Sequence, residues 1–409
     1  MPPYSTAVKL FRYTDGGAPE MKGAAGALLN VLDACLRTGY NVKAPTSVTR
    51  DGSVVTVVFS AAHGYTEHQV IEMSGANEVD YNGLFRVTSV TTLELTYSLA
   101  AGVTPATPAT GTFATKVAPA GWTRAFTGTN KAAYKSSDGG DATGCYLRID
   151  DTNATATRRG AMRGYISMSD IDTGTEPFPS SNLYWYKGAD DNTARPWFIA
   201  ADSRAFYIGV NPNNYGDFHG FGDFPSYKPG DIYNCFISGS SHATDDATVY
   251  ADPLTATTFP HVQYTNSSML VVARNYAGLE NSMTKLQTVG CAPFMSASLT
   301  SSGYLLGIGG VGVTYPHPID NGFIYGNTFF REQNATMQLI RGYPPGLYDP
   351  WHPVIASLNN VSLLAGAPAP EKKALLWNTR LCHGNAFSPS ITPKVTECNP
   401  MINVTGPWR

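Results

Sequence analysis

Only one stretch of the 409-residue chain repeats its apolar residues at the spacing of an α-helix. It covers residues 23–38, with Arg37 near its end and Gly39 after it, where a cation and a left-handed stop suit a helix terminus. Elsewhere, short apolar runs alternate with turn residues. This pattern rules out a helical bundle, and we expect the helix to pack its apolar face on a β-sheet of this chain or of a neighbour.

The segment from residue 46 to residue 117 changes to the two-residue period of strands. Asp51 and Gly52 predict a hairpin, and further strands are expected at 69–74, 84–90 and 94–99. A stretch rich in proline, alanine and threonine at 100–110 suits an exposed connection. We therefore predict a small antiparallel β-module over residues 46–117.

The predicted fold class is mainly β, in three parts. Residues 1–45 form an N-terminal arm and one helix, residues 46–117 the small module, and residues 118–409 a larger β-sandwich-like or barrel-like region. The arm at residues 1–23 contains Pro2 and Pro3 and has little self-packing pattern. We expect neighbouring subunits to order it.

Charge and cysteine usage exclude several functions. Charged residues make up 14% of the chain, the net charge is −3 and no basic stripe occurs, so we expect no nucleic-acid partner. A surface poor in charge is typical of a surface that is covered on assembly. No apolar run is long enough to span a membrane, and no signal peptide is visible. The six cysteines have no zinc-ligand spacing, which favours buried thiols and leaves disulfides open.

Pairs of aspartates are the main candidates for chemistry. They stand at 150 and 151, 190 and 191, and 245 and 246. Neighbours on a strand point to opposite faces, so adjacency does not build a hydrolase's carboxyl pair, and we expect structural roles. Asp-rich turns at 150–153 and 170–174 are the alternative calcium sites. Nucleophile and phosphate-loop motifs are missing, and GIGGVG at 307–312 suits a loop or bulge. We predict no catalytic residue, metal site or cofactor.

Aromatic residues are the enrichment with a physical use. A dense block runs through residues 183–224, and within it residues 218–224 alternate rings with glycine, which suggests a loop that carries rings. Flat rings contact partners well, although packing in the core of a β-domain is the alternative. The interaction candidates are Tyr184, Trp185, Tyr186, Phe218, Phe221 and Phe224.

Two sets of motifs resemble proteins of tailed bacteriophages. Residues 63–99 are similar to a small β-module that recurs in tail-fibre, tail-tip and baseplate proteins, through His63-Gly64-Tyr65, Gly75, Tyr81-Asn82-Gly83 and Thr96-Tyr97-Ser98-Leu99. The position of the module's usual second glycine is held here by Glu67 or His68. The resemblance implies that His63 packs or forms hydrogen bonds near a loop of the module. Ligand contact is the alternative.

The second set resembles a larger phage structural or tail-protein family. Its motifs are Gly121-Trp122, residues 129–132, 146–151, 168–174, 221–223, 226–231, Arg341-Gly342, 345–347 and the GPWR of residues 406–409. Their order along one chain makes the resemblance specific.

The resemblance implies a structural protein of a phage tail tip or baseplate, not an enzyme. Such a protein is assembled in the bacterial cytoplasm, is located in the virion tail, and forms trimers or hexamers with other tail or baseplate proteins as partners. The alternatives are a tail fibre that binds a host surface glycan or pilus, a capsid decoration protein, and a tailspike-like glycan hydrolase. The sequence has no β-helix repeat to support the last of these.

Overall fold

Antiparallel strands dominate the computed structural model, which places 50% of residues in strands and 6% in helices and confirms the mainly β fold class. The sheets curl into half-barrels. The structure describes residues 5–137, 139–152, 159–188, 192–210, 217–241, 268–279, 283–289, 325–332, 339–350, 363–367, 374–378 and 401–409.

The N-terminal segment is part of the fold. Strand β1 (Lys9–Arg12) pairs with residues 198–201 of the same chain, and Val8, Phe11 and Met21 are fully buried. The expectation that neighbouring subunits order this arm is therefore wrong for residues 5–23, because its partner strand lies nearly 190 positions further along the same chain.

The predicted helix is present but begins later than residue 23. Helix α1 (Ala27–Leu32) continues into a π-helical segment, Asp33–Thr38, and Gly39 follows with a positive φ of 73°. Leu28 packs over Gly160, and Arg124 pairs with Asp33 at 2.5 Å. The helix thus lies on a sheet of its own chain, which is the first of the two alternatives expected from the sequence.

The small module is a seven-stranded antiparallel sheet in the order β2-β8-β5-β6-β7-β4-β3. The turn at Gly52 joins β3 to β4 as predicted, and β2 adds a strand before residue 46. A 3-10 turn, Val79–Tyr81, precedes β6. The strands are β2 (Tyr40–Lys43), β3 (Ser47–Asp51), β4 (Val54–Val58), β5 (Val70–Ala76), β6 (Gly83–Val90), β7 (Glu94–Ser98) and β8 (Gly111–Val117).

The larger region supplies the remaining strands. They are β9 (Thr123–Gly128), β10 (Lys131–Lys135), β11 (Tyr146–Asp150), β12 (Arg159–Met168), β13 (Gly174–Tyr186), β14 (Trp197–Ala201), β15 (Ala205–Val210), β16 (Asp217–Asp223), β17 (Cys235–Ser240), β18 (Ser268–Val272), β19 (Thr284–Val289), β20 (Tyr325–Asn327), β21 (Phe329–Glu332), β22 (Ile340–Gly342), β23 (Leu347–Pro350), β24 (Leu363–Ala367), β25 (Ala374–Asn378) and β26 (Met401–Asn403).

One long sheet organises this region. Its order is β1-β14-β15-β16-β17-β13-β12-β11-β10-β9, and β18, β19, β21 and β22 continue from β17. A five-stranded sheet has the order β20-β23-β26-β25-β24.

Both faces of the long sheet are covered at its centre. In β14, Trp197 and Ile199 face a core shared with α1 and the small module, whereas Phe198 and Ala200 face a second core that includes Trp408. This is why β14 and β15 are near-continuous apolar runs rather than alternating ones.

Arg86 in β6 ties the parts together. Its guanidinium donates to the carbonyl oxygens of Ser5, Val8 and Val404 at 2.7–3.1 Å, and also to His68 O. Trp408 packs its ring 5.5 Å from that of Tyr207. The small module, the segment around β1 and the segment after β26 therefore meet at one side chain.

Candidate interaction surface

The first three predicted interaction residues lie in β13 and point mainly inward. Trp185 and Tyr186 are buried, and Tyr184 is half-buried. Trp185 donates its indole N–H to Ser238 O at 2.6 Å and stacks on His219 with the ring centroids 6.2 Å apart. Trp185 and Tyr186 act as core residues, the alternative that the sequence left open.

The other three candidates, Phe218, Phe221 and Phe224, are also buried, and the predicted loop is wrong. Residues 217–223 form strand β16 instead. The glycines make room for neighbours: a Cβ at Gly220 would stand 2.8 Å from the Tyr207 ring. The alternation of rings and glycine therefore reflects close packing between strands, and burial argues against a surface role for these rings.

An exposed apolar surface lies just after β16. Tyr227 is 51% exposed, Ile232 67%, Leu279 82% and Ile340 47%. We call these four residues the Tyr227 surface. The connection at 225–234 joins β22 through a hydrogen bond from Tyr227 N to Arg341 O at 2.8 Å.

The turn that carries Leu279 packs beside the same connection. A Cβ at Gly278 would lie 3.4 Å from the Lys228 ammonium and 3.9 Å from the Tyr233 ring. Three chain segments, at 225–234, 275–279 and 339–343, therefore converge on the Tyr227 surface.

A buried cluster of charged side chains links the segments that carry this surface. Arg341 is fully buried and binds Asp231 through two hydrogen bonds of 2.7 and 3.0 Å, Glu332 at 2.5 Å and Arg274 O at 2.8 Å. Burial alone would raise the pKa of Asp231, but the hydrogen bonds and charge of Arg341 outweigh burial and hold that pKa below its usual value. The connection is thus fixed in shape before any partner arrives.

Tyrosines and cations line the surface. The rings of Tyr227 and Tyr343 are 6.0 Å apart, and the Arg274 guanidinium lies 4.3 Å from the centre of the Tyr233 ring. Arg274 also pairs with Glu176. Tyrosine and arginine are enriched at the centres of protein interfaces, where acidic residues and lysine are depleted.

The sequence patterns do not predict this surface. The local indication is the turn at 226–231, one of the tail-protein motifs, followed directly by the apolar Ile232. The burial of Arg341, which supports the turn from 110 positions away, cannot be read from local sequence.

The first aspartate pair has two structural roles, as predicted. Asp150 bonds Thr152 and lies near Arg148 and Lys131, whereas Asp151 is fully buried against Lys187. The pairs at 190–191 and 245–246, and the 307–312 segment, lie outside the described residues.

The two alternative calcium turns are occupied by protein partners. Asp172 pairs with Arg148 at 2.6 Å and with Lys131 at 2.9 Å, and Asp170 accepts a hydrogen bond from Asp172 N. Among the residues that the structure describes, no three His, Cys, Asp or Glu side chains come together as a metal site would require.

His63 has the packing role expected of it. It is buried, accepts a hydrogen bond from Tyr65 N at 3.0 Å, contacts Glu94 O at 3.2 Å and stacks on the Tyr65 ring. These contacts hold the turn before β5.

No protein-family model matches the chain, and no curated protein matches it. In the described part of the chain, no helix has the length and apolar character needed to cross a membrane.

Proposed function

We propose that this chain is a structural subunit of a bacteriophage tail tip or baseplate, assembled in the bacterial cytoplasm and located in the virion tail. Support comes from the ordered tail-protein motifs and from the low share of charged residues, 14% of the chain. The protein acts by assembly, as a trimer or hexamer and with other tail proteins, rather than by catalysis.

The observation that carries the proposal is the Tyr227 surface. Four exposed apolar side chains lie on three neighbouring segments, and the buried Arg341 in one of them binds Asp231 and Arg274 O, which lie in or beside the other two. Exposed aliphatic and aromatic groups on a preformed surface suit a protein partner, because burying them releases water without a large ordering cost. Ile232 and Leu279 favour a protein over a sugar, since sugars stack on flat rings.

Strand β9 offers a second contact of the kind expected for tail proteins. It ends the long sheet and pairs only with β10 among the described strands. An edge strand can extend a sheet across subunits. The segment at 5–23 offers no such contact, because it packs within its own chain.

The test measures oligomeric state by light scattering and native mass spectrometry over a range of protein concentrations. We expect an oligomer that the double substitution Ile232→Lys and Leu279→Lys converts to single subunits. Val79→Lys is the matched control, because Val79 is 75% exposed but belongs to the small module. A wild-type chain that stays a single subunit at high concentration, both alone and mixed with the tail proteins encoded beside it, would refute the proposal.

The identity of the neighbouring genes distinguishes a tail protein from a capsid decoration protein. Genes for a tape-measure protein and a tail hub beside this one support the tail location. A major capsid gene in that place would favour capsid decoration instead.

Receptor binding by a tail fibre is the second candidate, because the exposed ring of Tyr227 could stack on a host glycan. A glycan array probed with the wild-type chain and with Tyr227→Ala distinguishes the two. Glycan binding that Tyr227→Ala abolishes would favour the receptor-binding function.

A further inference from the structure

Cys145 and Cys235 lie in the same buried core, although the strands beside them are not neighbours in the sheet. Cys145 directly precedes β11 and Cys235 begins β17, and β12 and β13 lie between these strands in the sheet. Both side chains belong to the same buried core and are unpaired thiols.

Asp223 and Thr143 hold the two cysteines together. Asp223 stands opposite Cys235 in the pairing of β16 with β17. Its carboxylate accepts hydrogen bonds from the Thr143 hydroxyl at 2.5 Å and from Thr143 N at 2.8 Å. Cys145 N in turn donates to the Thr143 hydroxyl oxygen at 3.3 Å, and the Cys145 side chain neighbours that of Cys235 in the shared core.

We propose that Cys145 and Cys235 form an intramolecular disulfide bond by exchange with a small-molecule disulfide. The Cys145 thiolate attacks one sulfur of the reagent and releases one thiol. The Cys235 thiolate then attacks the Cys145 sulfur of this mixed disulfide and releases the second thiol. The two cysteines are oxidised, each losing a proton, and the reagent is reduced to two thiols.

The surroundings set when this reaction proceeds. Burial raises the pKa of Cys235 well above its usual value, and the neighbouring Cys145 and Asp223 raise it further. The pair therefore exchanges slowly near neutral pH and faster as pH rises, since the thiolate is the attacking species.

The bond would close a loop of about 90 residues and tie β11 to β17. Such a cross-link restricts the unfolded chain. We expect it to raise the midpoint of thermal unfolding by several degrees, reversibly.

The experiment equilibrates the full folded chain with oxidised glutathione at mildly alkaline pH. It then maps disulfides by mass spectrometry after alkylation of free thiols. We expect a peptide pair that joins Cys145 to Cys235, with the unfolding midpoint raised and restored by dithiothreitol. Cys35 is the internal control: it is buried beside Asp15 and Tyr40, and it should remain free.

Matched variants test the link to stability. Cys145→Ser and Cys235→Ser should each abolish the oxidant-induced rise in unfolding midpoint, whereas Cys35→Ser should keep it. The wild-type peptide map does not depend on whether any variant folds. Cys145 and Cys235 found free, bound only to glutathione, or joined to other cysteines after equilibration would overturn the proposal.

Discussion

Replacing Asp151 with asparagine should show how strongly one buried ion pair holds helix α1 on the sheet. Asp151 and Lys187 are both fully buried and in direct contact. The other carboxylate oxygen accepts the Leu28 N–H at 2.9 Å, and Lys187 also donates to Ala24 O at 3.2 Å. The pair thus fastens the start of the helix to the strands that end near residues 150 and 186.

The expected cost is about 3–5 kcal/mol, the usual range when one partner of a buried pair is removed. Asparagine keeps an acceptor for Leu28 N, so little else is lost.

Urea unfolding of a double-mutant cycle provides the assay. Asp151→Asn and Lys187→Met should each destabilise strongly. The double variant should cost at least about 2 kcal/mol less than the sum, because it leaves no buried charge unpaired. A single-variant cost below about 1 kcal/mol, or simple additivity, would refute the reasoning.

Three further predictions follow from particular side chains. Gly75 and Gly102 have nearly equal φ of 84° and 83°, but a Cβ at Gly75 would stand 1.9 Å from Thr112 O, whereas Gly102 faces open space. Gly75→Ala should therefore lower the free energy of unfolding by at least about 2 kcal/mol more than Gly102→Ala, as measured by urea unfolding. Equal losses for the two variants would contradict this. Burial, helped by the Arg86 charge, lowers the pKa of Lys9 to about 8, so the unfolded chain binds more protons above that pH. Stability should therefore rise by about 2–3 kcal/mol from pH 8 to pH 10 relative to Lys9→Met, and parallel pH profiles of the two proteins would argue against it. Trp408→Ala should cost about 3–5 kcal/mol in the same unfolding assay, since the buried ring packs on Tyr207, and a cost under about 1 kcal/mol would show that the ring adds little.

Local pattern was enough for the strands and turns of the small module. The Gly52 turn and the strands near 70, 84 and 94 lie where the alternation of apolar residues puts them, because hairpin register depends on neighbours in sequence. Helix α1 shows the limit. The spacing of apolar residues predicts which face of the helix is buried. It does not predict where the helix begins, because Asp151, 123 positions away, binds Leu28 N at that end.

The errors concern residues whose environment is set at long range. Residues 217–223 form a strand because Tyr207 and its neighbours fill the space over Gly220, and β1 is ordered because β14 is beside it. The Tyr227 surface was missed for the same reason, since its shape depends on Arg341. The apolar period predicts on which face of the sheet a side chain lies. It does not predict which distant segment packs against that face.

The Arg86 junction has a consequence for how the chain is made. The carbonyl oxygen of Val404 and those of Ser5 and Val8 share one guanidinium, so the earliest described residues cannot reach their final contacts until the ribosome has released the latest ones. At about 5–20 residues per second, synthesis of the roughly 400 residues between these carbonyl groups takes roughly 20–80 s. Strand β1 can pair with β14 about halfway through that time, but the Arg86 junction stays incomplete until Val404 is made. A nascent chain therefore completes this junction only at the end of that interval.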